Sequence, residues 1–133
     1  MNILVDTSVW SLAFRKKEKT AKEQGIVNLL VEFTRDLKTR IIGPIRQEIL
    51  SGFSDRIKFE KVRSSLAIYS DVKIDTKDYE NAADYFNTCR RNGIQGSHID
   101  FLICAVAVNN DLSIFTLDKD FENYQKYLSI KLI

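Results

Sequence analysis

The sequence predicts an α/β fold, in which helices cover both faces of a parallel sheet of about five strands in a three-layer α/β/α arrangement. Short apolar segments typical of strands alternate along the chain with longer segments whose apolar residues recur at helical spacing. The opening segment, Ile3-Leu4-Val5, is apolar at consecutive positions, as in a parallel strand buried on both faces. The length of 133 residues suits one core, so we expect a single domain over residues 1–133.

The first two helices follow the opening strand. That strand ends on Asp6-Thr7-Ser8, and the two hydroxyl side chains are expected to cap a helix over residues 9–14. A polar break over residues 16–20 separates it from a second helix that begins at Ala21. The apolar residues of this second helix have helical spacing, and they are Ile26, Leu29, Leu30, Phe33 and Leu37.

The middle of the chain predicts two strands and two helices. Residues 40–42 form a second strand, and Gly43-Pro44 then opens a helix with proline in its tolerated first-turn position. Another helix begins at about residue 55, and its apolar face contains Phe59, Val62, Leu66 and Tyr69. Residues 72–74 are a weaker candidate for a third strand.

The last third of the chain contains the most apolar helix. A helix with Tyr79, Phe86 and Cys89 on its apolar face stops at Asn92-Gly93. Residues 97–109 form a helix that is apolar nearly all round and is therefore expected to be buried. A strand over residues 112–116, a short helix over residues 118–128 and an edge strand over residues 130–132 complete the fold.

Composition excludes several classes of protein. The apolar and charged fractions, 44% and 29%, are typical of soluble globular proteins. No apolar run is long enough to span a bilayer, and the apolar start is too short and uncharged for a signal peptide. Cys89 and Cys104 lie in helical apolar patterns, so we expect buried free thiols in a reducing cytoplasm. One histidine and no paired-cysteine motif argue against a structural zinc site.

Four acidic residues are predicted to meet at one edge of the sheet. Asp6 and Asp118 each follow a predicted strand, and Glu48 lies one turn inside the helix that follows the second strand. Asp100 lies in the first turn of the apolar helix. Strand ends and helix starts share one edge of a doubly wound sheet, and ligands bind at that edge. We therefore expect one acidic pocket.

Each acid also has a purely structural interpretation. Asp6 can begin a turn or cap the first helix, and Glu48 can be an exposed helix residue. Asp100 can complete a capping box with Ser97, and Asp118 can cap the short helix after it. The coincidence of all four at one edge favours a functional site over four separate structural roles.

Such a pocket predicts metal-dependent chemistry. Four carboxylates held close raise one another's pKa and need a counter-cation. Oxygen ligands select hard ions, which indicates Mg²⁺ or Mn²⁺. One or two such ions can activate water for in-line attack on a phosphodiester. His98 is a rival general base that we leave out of the mechanism, and we expect Asp120 to cap a helix or support the site.

The charge pattern agrees with a polyanionic substrate. The chain has 20 Lys and Arg against 18 Asp and Glu, a net charge of +2. If four acids are bound to metal, the remaining 14 leave a net charge of +6 elsewhere. Basic clusters occur over residues 15–19, 38–40, 56–63 and 90–91. An acidic pocket on a basic surface suits a phosphate polymer, although any one cluster can be a solvated helix face.

Four motifs together resemble the PIN domain family, and the layout resembles its VapC toxins. They are Asp6-Thr7-Ser8, Glu48 on the Pro44 helix, Asp100 before Ile103-Cys104-Ala105-Val106-Ala107, and Thr116-Leu117-Asp118-Lys119-Asp120-Phe121. The resemblance implies a PIN-like fold with strand order 3-2-1-4-5. It implies a Mg²⁺-dependent endoribonuclease whose acidic set is Asp6, Glu48, Asp100 and Asp118, with Thr116 as a supporting hydroxyl. Residues 95–98 contain no further acid, so the resemblance leaves one or two metal ions open.

The same resemblance implies partners. We expect an RNA substrate, a small VapB-like antitoxin and a homodimer, without a membrane. A catalytically silent PIN-like module that binds RNA or protein is one alternative, and the four like charges argue against it. A phosphatase of the haloacid-dehalogenase type is another. That chemistry requires an acid two positions after the first one, where this sequence has Ser8.

Overall fold

A parallel sheet of four strands forms the centre of the molecule. The computed structural model describes residues 1–133. The strands are β1 (Asn2–Val5), β2 (Thr39–Arg40), β3 (Leu112–Phe115) and β4 (Lys131–Leu132), in the order β2-β1-β3-β4. β1 pairs in parallel with β2 on one side and along its whole length with β3 on the other. The parallel sheet is therefore built around the opening apolar segment.

Seven helices cover the two faces of this sheet. They are α1 (Thr7–Arg15), α2 (Ala21–Arg35), α3 (Gly43–Ser51), α4 (Arg56–Leu66), α5 (Thr76–Arg91), α6 (His98–Asn109) and α7 (Asp120–Gln125). Every residue from Phe101 to Ala107 in α6 is buried, as the apolar pattern predicts. The predicted α/β fold class is confirmed.

The prediction of a third strand over residues 72–74 is wrong. Only one parallel bridge forms at this place, between Ile41 and Asp71. Arg46 holds the chain at this place. Its guanidinium donates to the Asp71 carboxylate at 2.8 Å and to the backbone carbonyl of Tyr69 at 2.7 Å, which ties this segment to α3. The segment still lies outside β2, so the order of segments along the sheet matches the predicted 3-2-1-4-5.

The end of α2 differs from the prediction as well. Leu37, expected on its apolar face, lies beyond the helix, is 81% exposed and has a φ of 59°. The N–H groups of Leu37 and Lys38 donate to the carbonyls of Thr34 and Phe33, which is the Schellman pattern that closes a helix. Glycine usually occupies this left-handed position. Because this chain has leucine there, the sequence contains no signal for the turn.

Other boundaries shift by a few residues. α7 is shorter than the predicted 118–128, β2 begins at Thr39, and β4 begins at Lys131. Cys89 and Cys104 are free and buried, as predicted. None of the helices combines the length and apolar character that crossing a bilayer requires.

Gly96 leaves the space in which a buried tyrosine lies. A Cβ atom at this position would overlap the hydroxyl of Tyr124 and come within 2.8 Å of the Phe101 ring. We expect Gly96→Ala to destabilise the protein by about 1–3 kcal/mol, because a packed core cannot absorb an added methyl group. Urea unfolding measures the change.

Gly25 provides the matched control. It lies within α2, and no atom would come within 4 Å of an added Cβ. Gly25→Ala is therefore expected to stabilise the protein by roughly 0.5–1 kcal/mol, because alanine favours the helix. Equal effects at the two positions would contradict the packing role of Gly96.

Candidate functional site

Asp6 is held at the carboxyl end of β1 by two hydroxyl groups. Its side chain is 7% exposed, and its Oδ2 accepts hydrogen bonds from Ser8 and from Thr116, both at 2.8 Å. Asp6 occupies the N-cap position of α1 but makes no side-chain capping bond. The expectation that Thr7 and Ser8 cap this helix is therefore wrong, and so is a capping role for the Asp6 carboxylate.

The two hydroxyl groups also connect β1 to the segment after β3. The N–H of Leu117 donates to Ser8 Oγ at 2.9 Å, and the N–H of Asp118 donates to Thr116 Oγ1 at 3.0 Å. Each hydroxyl thus accepts a hydrogen bond from a backbone N–H and donates one to Asp6 Oδ2. The ends of two neighbouring strands are locked around one carboxylate oxygen.

Glu48 reaches the same place from α3. It is an exposed helix residue, and its Oε2 accepts a hydrogen bond from Thr7 Oγ1 at 3.2 Å. Pro44, in the first turn of α3, lines the same pocket. Glu48 therefore faces the start of α1 although it is exposed.

Asp100 is held by a residue that the sequence analysis missed. The hydroxyl of buried Tyr124 donates to Asp100 Oδ2 at 2.7 Å. Ser97 caps α6 by accepting the backbone N–H of Asp100 at 3.1 Å, but the Asp100 side chain does not complete a capping box. The capping-box interpretation is therefore wrong for this carboxylate. No sequence motif marks Tyr124, because it lies on α7 and meets Asp100 only through packing.

Asp118 contacts the start of α7 and also reaches the pocket, although the N-cap residue of α7 is Lys119. Asp118 Oδ1 accepts the backbone N–H of Asp120 at 2.9 Å, which supports the start of α7, and its side chain lines the same pocket as Asp100. Asp120 is exposed and does not line this pocket. His98 stacks on the ring of Phe86 at 4.8 Å and does not line it either.

One open pocket of about 720 Å³ contains all four predicted acids. We call it the acidic pocket, and its lining residues are Asp6, Thr7, Ser8, Ser11, Pro44, Gln47, Glu48, Ser51, Ser97, Ile99, Asp100 and Asp118. No Lys, Arg or His lines it, and none of the four acids forms an ion pair. Each acid has one carboxylate oxygen bound by a protein donor and the other without one.

Electrostatics in the pocket follow from this arrangement. Burial raises the pKa of the Asp100 carboxyl, the Tyr124 and Ser97 hydroxyls lower it, and the negative charges of Asp6 and Asp118 raise it further. Burial and the bond to Asp100 raise the pKa of Tyr124, so its hydroxyl remains protonated and donates. The N-termini of α1, α3 and α6 end at the pocket, and their partial positive charges oppose part of the repulsion.

The donor set has the chemistry of a hard-cation site. All of its strong donors are carboxylate and hydroxyl oxygens, which Mg²⁺ and Mn²⁺ prefer. No three His, Cys, Asp or Glu side chains are close enough to hold one ion together. Mg²⁺ commonly uses one or two carboxylates and retains water molecules, so this spacing is compatible with that ion.

Asp100→Asn separates a charge effect from a capping effect. Because the folded-state pKa of Asp100 is raised, the folded protein binds this proton more tightly than the unfolded chain does. In EDTA, the contribution of Asp100 to the unfolding free energy should therefore fall as pH rises from about 4 through the folded-state pKa, and the difference between wild type and variant isolates it. The variant should lack this contribution and be at least as stable as wild type at pH 7, as urea unfolding can measure.

Ser97→Ala is the control for the helix cap. It removes the acceptor for the Asp100 N–H, so we expect a loss of about 1 kcal/mol of unfolding free energy at low pH. The loss should be somewhat larger at pH 7, because the Ser97 hydroxyl also lowers the pKa of Asp100. If Asp100→Asn lowers the unfolding free energy by the same amount at every pH, the Asp100 carboxylate has a structural role and is not destabilised by its negative neighbours.

Known structures share this fold. A chain in the crystal structure of FitAcB from Neisseria gonorrhoeae matches with a TM-score of 0.79 and 18% identity, covering 98% of this chain and 96% of that chain. Chains in VapBC-1 from nontypeable Haemophilus influenzae and in VapBC2 from Rickettsia felis, the latter bound to a promoter DNA fragment, also match. Their TM-scores are 0.76 and 0.74 and their identities 13% and 14%, with all of this chain and 97% and 98% of theirs covered.

No curated protein sequence matches the chain. The family model described as the PIN domain matches residues 3–127, which include all four acids of the pocket. Because this match covers nearly the whole sequence, the chain belongs to the PIN domain family.

Proposed function

We propose that the protein is a Mg²⁺-dependent endoribonuclease that acts as the toxin of a toxin–antitoxin pair. The observation that carries this proposal is the acidic pocket, in which four carboxylates each leave one oxygen without a protein donor and no Lys, Arg or His side chain lines the wall. Membership of the PIN family supports it. Gathering four acids without a basic partner costs stability, which a bound divalent cation would recover.

Asp6, Glu48, Asp100 and Asp118 would hold one or two Mg²⁺ or Mn²⁺ ions. When bound, such an ion activates water and stabilises the negative charge that develops on the phosphodiester. The protein's own contribution is to aim the ligands. Donors on Ser8, Thr7 and Tyr124 fix one oxygen of Asp6, Glu48 and Asp100, respectively, which leaves the other oxygen for the ligand.

Thr116 serves in this proposal as a positioning residue. Its hydroxyl bonds both Asp6 Oδ2 and the N–H of Asp118, so it sets the separation of two ligands. Hydrogen bonds to a charged group contribute about 1.5–3 kcal/mol each, which is enough to restrict a carboxylate to one orientation. The proposed site thus consists of four metal-binding acids and one positioning hydroxyl, that of Thr116.

Metal dependence tests the proposed reaction. We expect cleavage of single-stranded or looped RNA in Mg²⁺ or Mn²⁺, no cleavage in EDTA, and no cleavage by Asp100→Asn under either condition. Saturating Mg²⁺ should stabilise wild type by about 2.7 kcal/mol at a hundred times its Kd, and the variant far less. Thermal melts and gel assays of labelled RNA make the measurements. Full cleavage in excess EDTA would refute the metal mechanism.

The proposed antitoxin has a candidate docking surface, which we call the apolar groove. It has a volume of about 410 Å³, and eight of its ten lining residues are hydrophobic. It lies among α1, α2 and the end of α4, and its lining residues are Trp10, Ala13, Phe14, Val27, Leu30, Val31, Thr34, Ser65, Ile68 and Tyr69. Val31 and Ile68 are 48% and 73% exposed and line one groove, and contiguous exposed apolar surface of this kind is typical of protein interaction sites.

An antitoxin bound in the apolar groove has a route to the acidic pocket. Trp10 lines the groove, and Ser11, the next residue of α1, lines the pocket. An arginine from the partner would replace the charge of the metal and bind two carboxylates at once. The chains of similar fold in VapBC and FitAcB support a partner of this kind.

We also propose that the toxin is a homodimer.

Two exposed isoleucines near α4 test the partner surface. Ile68→Glu places a charge in the apolar groove. Ile57→Glu places the same charge at a position that is 69% exposed and does not line the apolar groove. We expect growth arrest when wild type is expressed, and relief when the protein encoded directly upstream is co-expressed. Ile68→Glu should abolish that relief and Ile57→Glu should retain it, while both variants still cleave RNA.

The same experiment separates the two halves of the proposal. If expression is harmless while the purified protein cleaves RNA, the toxin role is wrong and the nuclease function remains. If Ile68→Glu is relieved as fully as wild type, the apolar groove is not the antitoxin site.

A further inference from the structure

A second polar groove adjoins the acidic pocket and has the opposite charge. It has a volume of about 630 Å³ and lies between the end of α1 and the start of α4. We call it the basic groove. Its charged lining residues are Arg15, Lys17, Lys58 and Lys61, with one acid, Asp55. Phe14 and Phe53 supply its aromatic surface.

The positive charge of the basic groove is not neutralised within the protein. None of its four cations forms an ion pair, although Lys16 and Arg56 nearby each pair with a glutamate. Asp55 Oδ2 caps α4 by accepting the backbone N–H of Lys58 at 3.0 Å. The ammonium groups of Lys58 and Lys61 are therefore exposed and available to an anionic ligand.

Two elements connect the basic groove to the acidic pocket. α1 contributes Thr7 to the pocket and Arg15 to the groove, eight residues apart, which corresponds to about 12 Å along the helix. At the end of α3, Ser51 lines the pocket, and the next residue, Gly52, lines the groove. A Cβ on Gly52 would come within 2.8 Å of the Arg15 guanidinium, so glycine lets this cation lie across the junction.

The aromatic residues of the basic groove suit the binding of single-stranded nucleic acid. The Arg15 guanidinium lies 5.5 Å from the centre of the Phe53 ring, which holds its planar face at the junction of pocket and groove. Proteins bind single-stranded nucleic acid through a positive groove that follows the phosphates and through rings or guanidinium planes on which bases stack. The basic groove offers both kinds of contact within a short distance of the acidic pocket.

We propose that the basic groove binds the phosphates of single-stranded RNA next to the bond that the acidic pocket cleaves. The pocket itself carries four negative charges and repels a phosphate backbone, so attraction has to come from a neighbouring surface. Lys17, Lys58 and Lys61 supply it, and Arg15 orients the strand toward the pocket. The inference rests on the proposed function for the identity of the strand.

Salt dependence of RNA binding tests the groove without requiring cleavage. A short fluorescent oligouridylate is titrated in EDTA at several KCl concentrations, and binding is followed by anisotropy. Each phosphate contact with a single strand contributes about 0.7 to the slope of log K against log salt. Lys58→Gln/Lys61→Gln should therefore lower the slope by about 1.4, and Lys17→Gln alone by about 0.7.

A matched pair controls for overall charge. Lys77 and Lys126 are exposed lysines that form no ion pair and line neither the basic groove nor the acidic pocket. Lys77→Gln/Lys126→Gln makes the same change in net charge and should leave the slope unchanged. If both pairs lower the slope equally, the attraction depends on overall charge and the proposal is overturned. An unchanged slope in the groove pair would overturn it as well.

Cleavage assays distinguish failure of the groove from failure of the enzyme. In Mg²⁺, the groove pair should raise KM with kcat retained, because it removes binding and leaves the acidic pocket intact. If wild type binds RNA with the groove-dependent slope and never cleaves it, the nuclease function fails and the groove assignment stands. If the groove pair binds RNA normally but loses relief by the upstream partner, the groove binds protein and the proposal is overturned.

Discussion

Hydrogen bonds to one oxygen of Asp6 hold the carboxyl ends of β1 and β3 together. Ser8 and Thr116, which lie 108 positions apart in sequence, both donate to Oδ2 and both accept backbone N–H groups after β3. The parallel pairing of the two strands brings these groups within reach, and the bonds then fix where Asp118 lies relative to Asp6. The acidic pocket depends on this junction because two of its four acids are placed by it.

α1 presents three different surfaces although it has only nine residues. Its first turn lines the acidic pocket, Trp10 and Phe14 line the apolar groove, and Arg15 lines the basic groove. Successive helical residues point in directions about 100° apart, so one short helix can serve all three. The proposed metal, partner and RNA would therefore all bind around a single element.

Much of the fold could be predicted because it depends on local patterns. Consecutive apolar residues mark β1, all-round apolar character marks α6, and helical spacing marks most of the remaining helices. The failures have a common cause, since each depends on contacts that a pattern does not contain. Leu37 occupies a helix-closing position that has no glycine, and Arg46 binds the segment at Asp71 that resembled a third strand.

The sequence by itself determined which acids share an edge of the sheet, because chain direction in a parallel fold puts strand ends and helix starts together. Asp6, Glu48, Asp100 and Asp118 were all located in this way. Only the tertiary structure decided what holds them. Tyr124 meets Asp100 through the packing of α7 against α6, and side-chain hydrogen bonds of this range depend on distances that no periodicity in the chain encodes.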